Sequence, residues 1–124
     1  MAAPRMETAR RRIAEWEPRI RAFTTLDEAA FARPDAVEGP LSGVSTGVKD
    51  VLDVAGLPTR NGSGACDGAG PAHADAAVVA ALRAAGADIL GKTVTTEFAF
   101  IDPTDCRNPH DLTRTPGGSS SGSG

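Results

Sequence analysis

The sequence predicts an α/β fold, and three consecutive segments carry that prediction: an alternating stretch from Gly43 to Asp50, an alanine-rich stretch from Ala76 to Ala85, and a short apolar run from Ala87 to Leu90. Strand, helix and strand in that order are the grammar of a sheet built with crossover connections. In the first segment Val44, Thr46 and Val48 fall on one face and Ser45, Gly47 and Lys49 on the other, because successive strand residues point to opposite sides. Asp50 then points away from Lys49. In the second segment Val78, Val79 and Leu82 form an apolar stripe, Asp75 stands where an N-cap is expected, and Gly86 suits the C′ position, where the backbone turns left-handed. The third is apolar and short enough to be a buried strand.

Ahead of these, Met6 to Glu17 is rich in Ala, Arg and Glu and places Ile13, Trp16 and Ile20 on one helical face, with Pro18 interrupting the run. Leu26 to Ala32 continues in helical composition, and Arg33-Pro34-Asp35 opens a loop that extends through Gly39-Pro40. Residues 1–38 therefore read as an N-terminal helical segment and 39–124 as the beginning of the core. Between strand and helix, Pro58 to Pro71 holds Asn61-Gly62, further glycines and little apolar material, and reads as an exposed loop.

Composition removes several classes of function. A net charge of -3 gives no electrostatic reason to expect nucleic acid or an acidic membrane surface as a partner. Met1 to Arg12 contains no apolar run long enough for a signal peptide or a membrane span; its arginines leave a transit peptide as a weaker reading. Cys66 and Cys106 lack the spacing of a disulfide framework or a zinc site, which fits a reducing, cytoplasmic setting. His73 and His110 have no partners at ligand spacing and read as surface-loop residues. Of the 13 basic residues all but Lys49 and Lys92 are arginine. An ammonium group can lose its proton when desolvated and a guanidinium cannot, so each lysine calls for its own explanation.

Two motifs compete for attention. Gly86 to Thr93 satisfies the pattern of a phosphate-binding loop letter for letter. Its context is wrong: such a loop leaves a strand and opens a helix, whereas Gly86 closes a helix and the residues after it are strand-like. Lys92 is accordingly assigned a structural role. The second motif is the tail, Gly117-Gly118-Ser119-Ser120-Ser121-Gly122-Ser123-Gly124. By composition alone it is a solvated linker, although glycines also permit close approach to a ligand and serines supply hydroxyls for proton transfer.

The segments upstream of that tail decide between these readings. Gly39-Pro40-Leu41-Ser42-Gly43-Val44 leading to Val48-Lys49-Asp50, then Val54-Ala55-Gly56-Leu57-Pro58-Thr59, resembles the lysine strand and following turn of the amidase signature family. Asp75-Ala76-Ala77-Val78-Val79 with Leu82 and Ala85-Gly86-Ala87 is similar to the first core helix of that family. Gly91-Lys92-Thr93 with Glu97-Phe98-Ala99 is similar to its next strand and turn. Arg107-Asn108-Pro109 and Thr115-Pro116-Gly117-Gly118-Ser119-Ser120-Ser121-Gly122 resemble the opening of its Gly/Ser-rich signature. The likeness runs from about Pro40 to the last residue, with Ser45 where the family commonly has proline and His110 where it has tryptophan.

The resemblance implies a mixed sheet flanked by helices, incomplete in this chain, whose domain is cut after the first Gly/Ser-rich motif. It also implies a Ser-cisSer-Lys triad that cleaves a carbon-nitrogen amide bond of a small-molecule substrate without metal or organic cofactor. In that scheme a serine attacks the carbonyl, a second serine with a cis peptide bond before it bridges the proton, and a lysine held as the free amine accepts it. Lys49 matches the lysine and Ser119 the bridging serine, while Gly117, Gly118 and Ser120 are the expected substrate-facing residues. The attacking serine has no match here, so the chain alone is expected to be inactive. The amidase component of a tRNA-dependent amidotransferase, and a non-catalytic remnant that folds only with a partner, are the rival readings.

Overall fold

The computed structural model describes residues 4–32 and 37–124. The expected Arg33-Pro34-Asp35 turn lies outside the described residues. Three strands form one mixed sheet in the order β1-β3-β2: β1 is Phe23–Leu26, β2 is Ser45–Lys49 and β3 is Asp88–Thr93. β2 and β3 run parallel, with Val48 opposite Lys92 and Lys49 opposite Thr93, and they are joined through the helix α2, Ala77–Ala84. β1 pairs antiparallel with the other edge of β3.

The end of α2 forms as its sequence requires. Gly86 has φ +92, its N–H donates to the Arg83 carbonyl at 2.9 Å, and the Ala87 N–H donates to the Leu82 carbonyl at 3.0 Å. This pair of bonds closes a helix and sends the chain straight into a strand. The start of α2 differs from expectation. Ala76 occupies the N-cap and offers no side-chain cap. Asp75 instead accepts a hydrogen bond from the Ala55 N–H at 2.8 Å and pairs with Arg83 Nε at 2.9 Å, tying the turn after β2 to the helix. A carboxylate offered a loop amide and a guanidinium has better partners than the helix amides.

The N-terminal half shows the larger differences. The helix α1 spans Pro4–Ile20 and continues through Pro18. A proline so near the end sacrifices one backbone bond, and the Arg21 N–H, just past the helix, still reaches the Glu17 carbonyl at 2.9 Å. Its packed stripe is Met6, Ala9 and Ile13, which meet Phe31, Leu90 and Phe23; Trp16 is half-buried beneath the Arg19 guanidinium at 4.7 Å. Of the helical reading of Leu26 to Ala32 only a single 3-10 turn at Ala30–Ala32 forms, and Leu26 instead closes the strand β1. Phe-Thr-Thr-Leu is strand material, and the free edge of β3 supplies partners that local helical composition cannot match. Both carboxylate oxygens of Glu17 accept from the Ala22 and Phe23 amides at 3.0 and 2.8 Å, which orients the chain as it enters β1.

A bulge in β3 organises the core. Opposite β2 the register slips between Ile89 and Gly91, leaving Leu90 unmatched. One extra residue reverses the alternation. Ile89 and Lys92 therefore share the side on which Val48, Val54 and Val79 are buried, while Leu90 joins the cluster under α1 and Thr93 faces with Lys49. Gly91, with φ +150, has no room for a side chain because a Cβ would collide with the Thr25 carbonyl of β1. No helix among the described residues is long and apolar enough to cross a membrane.

Candidate active site

The Gly/Ser-rich tail packs against the sheet. The Gly122 N–H donates to the Val94 carbonyl at 2.9 Å, the Thr96 N–H donates to the Ser119 carbonyl at 3.0 Å, and the buried Ser121 hydroxyl donates to the Gly117 carbonyl at 2.8 Å. Ser123 Oγ and Thr93 Oγ1 lie 3.1 Å apart. A Cβ at Gly122 would run into the Ala22 carbonyl and the Val94 amide, so glycine there is what lets the tail lie flat on the backbone. A flexible linker makes none of these contacts.

This docking brings the two expected catalytic residues together. Lys49, the last residue of β2, projects from the Thr93 side of the sheet, and its Nζ donates to Ser119 Oγ at 2.6 Å across 70 residues of chain. Both residues are half-buried. The Gly118–Ser119 peptide bond is cis. Gly117, Gly118 and Ser119 line one side of a cleft of about 370 Å³ whose other wall includes Ala99, Phe100, Ile101 and Pro103. Ser120 does not line that cleft; it is exposed, and its carbonyl accepts from the Ser123 and Gly124 amides at 3.0 and 3.1 Å.

The opposite wall is a turn with unusual backbone. Phe98 and Ala99 have φ of +45 and +59, a region that costs non-glycine residues about 1–3 kcal/mol and persists only when neighbours enforce it. The neighbours are identifiable. The Phe98 N–H donates to the Asn61 carbonyl at 2.7 Å, Thr96 Oγ1 donates to the Phe100 carbonyl at 2.6 Å, and Ser63 Oγ donates to Glu97 Oε1 at 2.6 Å. Pro58 to Pro71 is consequently only partly the exposed loop that its composition suggests: Ser63 is buried, and Asn61 and Ser63 tie the loop to this turn. Phe100 and Ile101 are 67% and 79% exposed beside Ser119.

Lys92 stands on the far face and is wholly buried. Its Nζ donates to Asp50 Oδ1 at 2.8 Å, Thr59 Oγ1 at 2.8 Å and the Pro58 carbonyl at 3.0 Å. Three N–H groups meet three acceptors, which accounts for this lysine structurally. The partnership with Asp50 was not evident in the sequence; the only hint was that Asp50 and Lys49 fall on opposite faces of one strand. The Thr93–Ser123 contact was also missed, since a threonine in a strand and a serine in a glycine-rich run carry no mutual signal. His73 and His110 are exposed, as surface-loop residues are. Cys66 and Cys106 are free thiols. Burial pushes the Cys106 thiol above its usual range, the Glu17 carboxylate adds to that, and the Arg107 N–H opposes it.

A lysine amine thus meets a serine hydroxyl where a glycine-rich loop lies against a parallel strand pair. Residues 6–124 match the family model described as Amidase, and the chain belongs to that family. Over 127 residues it is 41% identical to the glutamyl-tRNA(Gln) amidotransferase A subunit of Roseiflexus sp. (strain RS-1), covering 90% of this chain and 26% of that protein. Among solved structures, the glutamyl-tRNA(Gln) amidotransferase A subunit of Thermotoga maritima superposes with a TM-score of 0.84 at 30% identity, over 95% of this chain and 26% of its own. The native peptide amidase of Stenotrophomonas maltophilia gives 0.80 at 33% identity, over 96% and 29%. The chain thus spans about a quarter of the length of the relatives it matches.

Proposed function

We propose that this chain supplies the proton-relay half of an amide-hydrolysing site, with Lys49 as the base and Ser119 as the bridging hydroxyl. The observation that carries the reading is the 2.6 Å contact between Lys49 Nζ and Ser119 Oγ, made between residues whose sequence contexts separately resemble the amidase signature. In the proposed cycle the attacking serine hydroxyl gives its proton to Ser119 Oγ as Ser119 passes its own to Lys49. The same path in reverse protonates the departing amine. Gly117 and Gly118 present backbone to the acyl group. The substrate is a small-molecule amide, and the protein is placed in a reducing cytoplasm, where Cys66 and Cys106 remain thiols.

No serine of the chain other than Ser119 is proposed to engage Lys49, so the 124-residue polypeptide is expected to have no amidase activity by itself. Assayed on simple aliphatic and aryl amides, it should show no turnover above buffer. In a longer protein that carries this segment and hydrolyses amides, Lys49→Ala or Ser119→Ala should each lower kcat by about 10²–10⁴, the usual contribution of a positioned proton acceptor. Turnover that survives both substitutions would refute the relay.

A second reading draws on the Roseiflexus relative: the parent could be the amidase component of a tRNA-dependent amidotransferase. The relay would be the same, but activity would then require partner proteins and ATP. The acidic balance of this segment, with 16 acidic against 13 basic residues, gives no support to direct tRNA contact here.

A further inference from the structure

We infer that the buried Asp50–Lys92 pair is a positioning device for Lys49 and Ser119, fixing from the far face of the sheet where those two groups stand on the near face. The inference rests on the reading of Lys49 and Ser119 as a working pair. Asp50 follows Lys49 directly, and its N–H donates to the Thr93 carbonyl at 3.0 Å, so amine and carboxylate hang from consecutive residues on opposite sides of one strand. Lys92 grips that carboxylate at 2.8 Å from β3 and also holds the loop at Pro58 and Thr59. A backbone path continues from there. The Asp50 carbonyl accepts from the Asn61 N–H at 2.9 Å, and the Asn61 carbonyl accepts from the Phe98 N–H at 2.7 Å. Phe98 belongs to the turn that follows Thr96, whose own N–H holds the Ser119 carbonyl at 3.0 Å. The pair thus touches the strand that carries Lys49 and, through the loop, the turn next to Thr96, which holds Ser119.

Stability alone is a poor reason for such a pair. Asp50 is 1% and Lys92 0% exposed, and Asp50 Oδ2 makes no hydrogen bond among the described residues. Two charges taken out of water in that state gain little over well-packed apolar side chains of similar volume. Their distinctive contribution is directional: one amine satisfied by a strand carboxylate, a loop carbonyl and a loop hydroxyl fixes the relative placement of all three, which apolar packing cannot do as sharply.

Lys49 and Lys92 are the only lysines in the chain, so acylation with acetic anhydride followed by mass spectrometry reads each separately. In the otherwise unsubstituted chain, Ser119→Ala is expected to change the acylation rate of Lys49 by about threefold or more, the order set by one side-chain hydrogen bond. In the paired variant Asp50→Leu/Lys92→Met, checked for a retained cooperative thermal transition, the same Ser119→Ala change should alter Lys49 by less than about 1.5-fold, because the two groups no longer meet. A folded paired variant in which the full factor persists overturns the device while leaving the relay intact. If the paired variant does not fold, Asp50→Asn preserves the volume and one acceptor; the factor should fall there too, and its persistence is equally fatal. Lys49 unmoved by Ser119→Ala in the unsubstituted chain is a different failure: it removes the relay reading, and the device falls with it.

Discussion

Lys49 and Lys92 lie on adjacent parallel strands, one register position apart, in opposite surroundings. Lys92 is sealed on the far face with a carboxylate, a carbonyl and a hydroxyl around its three hydrogens. Lys49 is half-buried on the near face beside the hydroxyl of Ser119, a residue that lines the cleft. A lysine whose donors are all spent is part of the framework; one whose partner among the described residues is a single neutral hydroxyl is not locked in that way. The bulge at Leu90 produces the difference, because without the extra residue Lys92 would not share the side of Val48 and Asp50.

The strongest way to break this comparison is to remove each amine in turn. Lys92→Met leaves Asp50 buried without its cation and should cost about 3–5 kcal/mol in urea unfolding, whereas Lys49→Met at its half-buried site should cost no more than about 1 kcal/mol. Equal losses would mean that the two lysines share one structural role. The glycine-rich regions sharpen it next. Gly122→Ala must displace the Ala22 carbonyl or the Val94 amide and is expected to cost about 1–3 kcal/mol. Gly70→Ala, in a loop with open space around the new methyl, should change stability by no more than about 0.5 kcal/mol. Similar values at both positions would show that the tail is not docked as described.

The smallest expected effect concerns the thiols. Cys106 is buried under the tail, its Sγ within 3.5 Å of the Ser121 carbonyl. Burial first, and then the Glu17 carboxylate, favour its protonated form over the reactive thiolate. At neutral pH iodoacetamide should modify Cys66 about tenfold faster or more. Gly122→Ala should narrow that gap by loosening the cover, and an unchanged ratio in that variant would separate the burial of Cys106 from the docking of the tail.

The readable elements were those whose causes are local. Gly86 ended α2 because a left-handed C′ residue is a property of a few neighbouring side chains. The alternation in Gly43 to Asp50 gave a strand with Lys49 and Asp50 on opposite faces for the same reason. β1 and the continuation of β3 to Thr93 were harder, since both depend on pairing between segments far apart in sequence, and Phe23–Leu26 is too short to declare itself. Asp75 illustrates the same limit at one residue: its position suggested a cap, but a distant amide and a guanidinium offered better partners.

From the residues themselves came the strand–helix–strand order, the pairing of Lys49 and Ser119 as candidates through their signature contexts, and the rejection of Gly86 to Thr93 as a phosphate loop. Only the tertiary structure decided that the Gly/Ser tail docks rather than dangles, that the Lys49 amine meets the Ser119 hydroxyl, and that Asp50 belongs to Lys92. The physical reason is one of range: caps and alternation are set within a turn or two of chain, whereas a hydrogen bond across 70 residues exists only once the sheet and its bulge have brought both ends together.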